Sequence, residues 1–285
     1  MNIGIATYNL RSHVPSELPV HNQVISCDKL KTQHYLNEIE AWTVRKKMVL
    51  NEKKTKCMIF NRSKKFQFTS DIMLKGEKLN VVEETKLLGT IITNDLKWNK
   101  NTQAIVKNAN SKMKMLQVAS KFIRNKSDLL HIYKTFIRSR LEFSSVVWHS
   151  SLSKSNENDI ERVQKSALKL ILKETYSDYE TALKLLDIET LHDRRKRLCL
   201  KFAHKCLKND TFKKLFPLKK TYHKMDKRKT EKFLIKQINT ERYKKSAIPA
   251  MLRMLNEEDF KMKQALSNLD VTREPCLFNS ISEKI

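Results

Sequence analysis

Lys100, Lys107, Lys114 and Lys121 recur every seven residues, and Gln103, Asn110, Gln117 and Arg124 follow each of them by three. Seven residues is close to two helical turns, so on a helix these eight side chains form one stripe of cations and amides. Ammonium groups supply charge and amides hydrogen-bond oxygens, which is the chemistry of a surface that tracks a phosphate backbone. Ile105, Ala109, Met113 and Leu116 fall well away from the stripe, where a core face would be. An ordinary solvated helix also carries lysines, but between Asn99 and Phe122 there is no Asp or Glu to pair with them. A second lysine pattern, "LNEKKTKCMIF" from Leu50 to Phe60, places Lys54 in a polar turn just before an apolar run. Taken alone, that turn joins a helix to a strand and its lysines face water.

Other chemistries find fewer parts. Cys199, Cys206 and His204 lie close in sequence, yet Cys-x6-Cys matches no zinc spacing and puts the sulfurs roughly 10 Å apart along a helix. These read as buried thiols. No GxSxG or HExxH is present, and with only three glycines (Gly4, Gly76, Gly89) there is no glycine-rich phosphate loop. Metal-dependent phosphoryl transfer needs two or three converging carboxylates, and no Asp-Asp pair occurs in the chain. The basic runs at 194–197 ("RRKR") and 224–229 ("KMDKRK") read first as exposed charged turns, and otherwise as nuclear import signals or phosphate patches.

Composition points the same way as the lysine stripe. The chain has 57 Lys+Arg against 31 Asp+Glu, a net charge of +26. Such an excess costs stability through self-repulsion, and an anionic polymer partner is the simplest reason to carry it. An acidic membrane surface or acidic protein is the other class of partner. The five cysteines are odd in number and scattered, the opening "MNIGIATYNLRSHVP" is unlike a signal peptide, and no run approaches the ~18 apolar residues of a membrane span. The expectation is a reduced, intracellular protein, nuclear or cytoplasmic, with no membrane partner.

The elements that would position these residues follow from apolar spacing. Residues 1 to about 27 look irregular. A helix runs through "LKTQHYLNEIEAW", with Leu36, Ile39 and Trp42 on one face. After the turn at Asn51–Thr55, Cys57–Phe60 reads as a strand. A hairpin follows around Lys75-Gly76-Glu77, and "KLLGTII" reads as a further buried strand. From about 99 the pattern is helical. One helix covers "NKNTQAIVKNANSKMKMLQVASKF". Another starts at Ser127-Asp128 with Leu129, Leu130, Tyr133, Phe136, Ile137 and Leu141 inward. "ENDIERVQKSALKLIL" turns Ile160, Val163, Ala167, Leu168 and Ile171 to one side, and Tyr179–Leu186 makes a shorter helix. "ETLHDRRKRLCLKFAHKCL" turns in Leu191, Leu198, Phe202 and Cys206, and a basic tail follows Pro217.

Six segments occur in a telling order: "LNEKKTKCMIF", "ETKLLGTIITNDLKW", "IYKTFIRSRLEFSSVVWHSSL", "IERVQKSALKLIL", "YETALKLLDIETLHDRRKRLCLKFAHK" and "TERYKKSAIPAMLRMLN". Together, over about residues 28 to 256, they resemble the C-terminal part of reverse transcriptases of jockey-like non-LTR retrotransposons. In that family the first segment closes the palm, following the strand that bears the (Tyr/Phe)-x-Asp-Asp metal site. The resemblance implies that Lys54 matches the palm lysine suspected of assisting pyrophosphate departure. It implies that Lys86 to Ile92 form the primer grip, where Gly89 lets the backbone approach the primer 3′ end. The helices from about 99 to 210 would be the thumb and connection that cradle the template–primer duplex, in keeping with the lysine stripe.

The implied architecture is α-dominated α+β: an irregular leader (1–35), a small β-containing palm remnant (36–95), a helical thumb bundle (96–215) and a basic tail (216–285). Fingers, catalytic aspartates and any endonuclease domain are missing from the sequence, so the expectation is a fragment that is not an enzyme by itself. It would retain no Mg²⁺ and at most bind RNA/DNA or DNA duplex through Lys54, Lys86, Gly89, Lys100, Lys107, Asn110, Lys114, Lys121 and Arg124. The remaining palm and fingers could be supplied in trans. A host-retained nucleic-acid-binding protein and a non-functional relic are the alternatives. Palm strands without partners would leave an exposed apolar edge.

Overall fold

The apolar run that closes the lysine turn becomes the strand about which the first part of the chain is built. In a computed structural model, which describes residues 3–7, 23–26, 29–51, 54–60, 72–218, 232–235 and 240–271, the chain is helix-dominated α+β. It divides into two units, Met1–Asn108 and Ala109–Ile285.

In the first unit, β1 (Ile3–Thr7) and β2 (Gln23–Ser26) precede α1 (Lys29–Arg45) and β3 (Lys56–Phe60). β1 pairs antiparallel with both β2 and β3, with Ile5 opposite Ile25 and Met58. On its other side β3 pairs in parallel with β6 (Asn80–Val81), giving the order β2-β1-β3-β6. Two expectations are corrected here. Where an irregular leader was expected over 1–35, its described residues form two strands and the start of α1. And β3 is not left as an open edge, because the leader itself supplies its missing neighbour. β3 is covered on both faces, burying Cys57 and Met58 alike, and Leu36 of α1 meets Cys57 in a small core with Leu50, Ile72, Leu74 and Leu79.

The hairpin of β4 (Met73–Leu74) and β5 (Glu77–Lys78) turns through Lys75 and Gly76, both at positive φ, as a two-residue primed turn requires. The Gln33 side chain clamps it to α1, donating to the Met73 carbonyl at 2.9 Å and accepting from the Met73 amide at 2.8 Å. "KLLGTII" is not one buried strand. It is a second hairpin, β7 (Glu84–Leu87) with β8 (Thr90–Thr93), turning through Leu88 and Gly89, again both at positive φ. Only the β8 side is substantially covered, and Leu88 is 87% exposed at the tip.

α2 (Asn99–Phe122) runs from the first unit into the second. Its start is anchored by buried Asn101, whose Oδ1 accepts from the Ile91 amide at 3.1 Å. In the second unit α3 (Lys126–Ile132) is capped by Asn125, whose side chain accepts from Ser127 N, two residues earlier than the Ser127-Asp128 start. It passes into a π-helical segment, Tyr133–Arg138, and then α4 (Ser139–Glu142). Leu129, Leu130, Tyr133, Ile137 and Leu141 face inward as expected, but Phe136 is 47% exposed. The wider π turn rotates position 136 off the face that a regular helix would give it.

α5 (Ser145–Trp148) leads through a 3-10 turn, His149–Ser151, to α6 (Lys154–Leu172), capped by Ser153 and burying the predicted face from Ile160 to Ile171. α7 (Tyr179–Leu185), capped by Asp178, and α8 (Leu191–Leu207), capped by Thr190, follow. The buried face of α8 is Leu191, Arg195, Cys199, Ala203 and Cys206, turned by one position from the expected one, so that Phe202 is 41% exposed. After α9 (Asp210–Lys213) and α10 (Glu241–Lys244), α11 (Ala247–Val271) lays Met251, Leu252 and Leu255 against Cys199, Ala203, Cys206, Phe216 and Phe233. Within the expected basic tail, 216–285, the described residues thus include helix and core side chains. Each of the three α11 side chains removes apolar surface worth about 1.5–3 kcal/mol from water, which is why this segment joins the core. Among the described residues no helix is long and apolar enough to cross a membrane.

Candidate nucleic-acid interface

The eight stripe residues all lie on solvent. Lys100, Gln103, Lys107, Asn110, Lys114, Gln117 and Lys121 are exposed along α2, and Arg124 is exposed just past its end. Ala109 and Leu116 are fully buried on the other side, with Ile105 and Met113 half-buried. From Lys100 to Lys121 the rise is roughly 30 Å, close to the ~34 Å of one turn of duplex. The first lysine differs from the rest. Its Nζ lies 2.6 Å from Glu84 Oε2 on β7, and that hydrogen bond and charge raise its pKa. Glu83, Asp95, Asn94 and Lys97 line a cleft of about 240 Å³ beside it, so the local charge there is mixed. Among the described residues no ion pair holds Lys107, Lys114, Lys121 or Arg124. The uncompensated stripe therefore begins at Lys107.

The other predicted residues sit on separate elements of the first unit. Lys54 is exposed on the turn before β3, where its amide donates to Asn51 Oδ1 at 3.0 Å and to the Asn51 carbonyl at 3.2 Å. Thr55 Oγ1 donates to that same carbonyl at 2.9 Å. The asparagine thus fixes the backbone while leaving the lysine head in water. Lys86 is exposed on β7, and Gly89, at φ +89°, completes the β7–β8 turn.

The basic run at 194–197 lies on α8, which turns one of its four residues into the core and leaves Arg197 exposed. Arg195 is fully buried, Arg194 pairs with Glu142 and Glu189, and Arg197 pairs with Glu189. The run at 224–229 lies outside the described residues. Around Arg195 sequence reasoning missed a polar interior. Its Nε donates to His149 Nδ1 at 3.4 Å, its guanidinium lies 5.8 Å from the Trp148 ring, and burial pulls its pKa down. His149 is held to about 3, first by burial and then by the charge of Arg195. Beside it Tyr133 donates to Gln164, whose amide donates to Tyr179 Oη at 2.8 Å and the Glu189 carbonyl at 3.1 Å. Tyr179 in turn donates to Glu161, which also accepts from the Leu191 amide at 3.1 Å. Burial pushes both tyrosine pKa values up. This chain of bonds locks the π segment, α6, α7 and the start of α8 together. The motif signal was Gln164 among the apolar residues of the inward face of α6 from Ile160 to Ile171.

Cys199 and Cys206 are buried free thiols, and burial pushes Cys199 up to about 11. His204 points away from them to Glu258, at 2.7 Å. Among the described residues no group of His, Cys, Asp and Glu side chains is arranged to hold a metal. Compared with known proteins, the chain matches no family model, no curated protein and no solved structure.

Proposed function

We propose that this chain is a nucleic-acid-binding portion of a non-LTR reverse transcriptase, which grips a template–primer duplex along α2 and performs no phosphoryl transfer with its own residues. The observation that carries the reading is the α2 face: cations and amides at helical spacing, all exposed, on a helix without a carboxylate. The order of the six motifs supports the family origin, and the net charge of +26 supports an anionic polymer as partner. The Mg²⁺ of the full-length family does not fit the sheet as built. β1, β2, β3 and β6 read "IGIAT", "QVIS", "KCMIF" and "NV", with no carboxylate to offer a metal. Lys54 would then stand near phosphate without a metal to work with, as a simple backbone contact.

The test is the salt dependence of binding to an RNA/DNA duplex, read by fluorescence anisotropy. Replacing Lys107, Lys114, Lys121 and Arg124 together by Gln should weaken binding and flatten the log–log salt slope by about 3 to 4. An unchanged slope would remove α2 from the interface. Primer extension by the chain alone, with Mg²⁺ or Mn²⁺, would overturn the non-catalytic part of the reading.

A further inference from the structure

α2 carries large apolar side chains on its solvent side. Ala109 and Leu116 are fully buried, yet Met115, Val118 and Phe122 are 38%, 56% and 79% exposed. Their spacing of three and then four residues sets them in one row. That row lies roughly 140° around the helix from the Ala109–Leu116 face. A helix that has already turned one apolar face to its core ordinarily fills the outer face with polar residues. Core packing therefore does not account for this second row.

Alternating steps of three and four are the spacing of the seam between paired helices, where apolar positions a and d are flanked by charged positions e and g. With Met115 and Phe122 at a and Val118 at d, Lys107, Lys114 and Lys121 all fall at g, and Lys112 falls at e. A duplex does not require its lysines to recur every seven residues, whereas a partner helix does. One heptad earlier the seam positions are Asn108 and Ser111, so the apolar part is confined to the two turns from Met115 to Phe122. With so short a seam, the charges beside it decide which partner is held.

Those charges have one sign. α2 contains no Asp or Glu, and Lys112, Lys114 and Lys121 are exposed about a quarter turn to either side of the row. A second copy of this chain would set lysines against lysines and be repelled. A duplex satisfies the lysines but keeps its bases stacked inside, away from the row. A helix with an apolar seam and carboxylates along both flanks satisfies the lysines and the row together.

We infer that α2 is the docking site of an acidic amphipathic helix from a partner protein, which packs on Met115, Val118 and Phe122 and pairs its carboxylates with Lys112, Lys114 and Lys121. The partner thereby covers the lysines that the duplex would use. Only this competition rests on the duplex-binding reading above, and the docking itself stands apart from it.

Anisotropy of the full chain with two labelled peptides of one composition tests this. One is a helix with leucine at a and d and glutamate at e and g, and the other has the same residues scrambled, keeping the charge and breaking the seam. The seam peptide should bind about tenfold more tightly than the scrambled one, and unlabelled seam peptide should displace a labelled RNA/DNA duplex. Met115→Ser, Val118→Ser and Phe122→Ser together should abolish the difference between the peptides and leave duplex binding as before. Lys112→Glu with Lys114→Glu should turn the preference toward a seam peptide flanked by lysine. Equal binding of the two peptides, a preference that survives the triple serine variant, or seam binding without displacement of bound duplex overturns the inference and leaves the duplex reading intact. If the chain binds no duplex, the duplex reading falls instead, and the two peptides still decide the docking. Self-association, or binding to acidic vesicles, that the serine variant loses would assign the row to a second copy or to a lipid surface and overturn the inference.

Discussion

His149 allows a quantitative test of the interior of the second unit. Its ring is 5% exposed, and its Nδ1 accepts from a guanidinium that is itself fully buried. Accepting there requires the neutral ring. A proton on His149 would put a second positive charge against Arg195, with His192 edge-on at 5.1 Å and Lys196 nearby, and with Asp193 offering partial relief. The folded pKa is accordingly near 3, against 6.5 for the free side chain. Because the folded value is the lower one, the unfolded chain takes up this proton first. Stability from the neutral ring is complete above 6.5, falls as pH drops below it, and levels off near 3. Between about pH 7 and about pH 5 the loss is about 2 kcal/mol, or about 4 to 8 °C in melting temperature for a unit of this size. Other groups titrate in the same range, so the comparison is with His149→Gln, whose amide oxygen can still accept from Arg195. Urea unfolding followed by circular dichroism at both pH values should show the unmodified chain losing about 2 kcal/mol more than the variant. Parallel losses would mean that His149 is not held neutral, and the account of Arg195 would fall with it.

Two further substitutions probe other parts of the fold. Tyr133→Phe removes the donor to Gln164 in a site without water access from Tyr133, leaves the amide oxygen short of a partner, and should cost about 1–3 kcal/mol in chemical denaturation. Leu88→Asn should raise stability of the first unit by about 1 kcal/mol, because leucine is held at φ 45° while its side chain lies in water. A thermal melt showing a loss instead would mean that the leucine contributes a contact worth more than its backbone strain.

How much of this was legible depended on the range of the determining contacts. α2 could be read nearly to its ends, because its inward and outward faces differ in every turn and nothing acidic blurs them. α6 was legible for the same reason. β1 and β2 were not, since four or five residues carry little periodicity and β1 finds β3 about fifty positions away. Arg195 was hidden by its neighbours: within "RRKR" nothing marks the one arginine that faces inward. The Leu88-Gly89 turn was hidden by a leucine, a residue that rarely takes positive φ. At the candidate interface the α2 lysines were visible from spacing, whereas the bonds of Lys173 to the Ser120 carbonyl and of Lys126 to Thr175 arise only through the turn at the end of α6.

The same division of roles accounts for where the charge ends up. The carboxylates of α4, α6 and the segment before α8 are committed inside the second unit: Glu142 to Arg138 and Arg194, Glu157 to His192 and Lys154, Glu161 to Tyr179 and the Leu191 amide, and Glu189 to Arg194 and Arg197. Of these, the bonds of Glu142 to Arg138 and Arg194 and of Glu161 to Tyr179 and the Leu191 amide are half-buried and held in place, whereas exposed pairs such as Glu157–Lys154 and Glu189–Arg197 contribute about 0–1 kcal/mol. Glu142 and Glu161, so committed, are not free to neutralise the α2 lysines. The helix thus presents lysines that neither its own sequence nor the interior acids compensate, and the excess of 57 cationic over 31 anionic residues is felt at the surface where an anionic polymer would meet it.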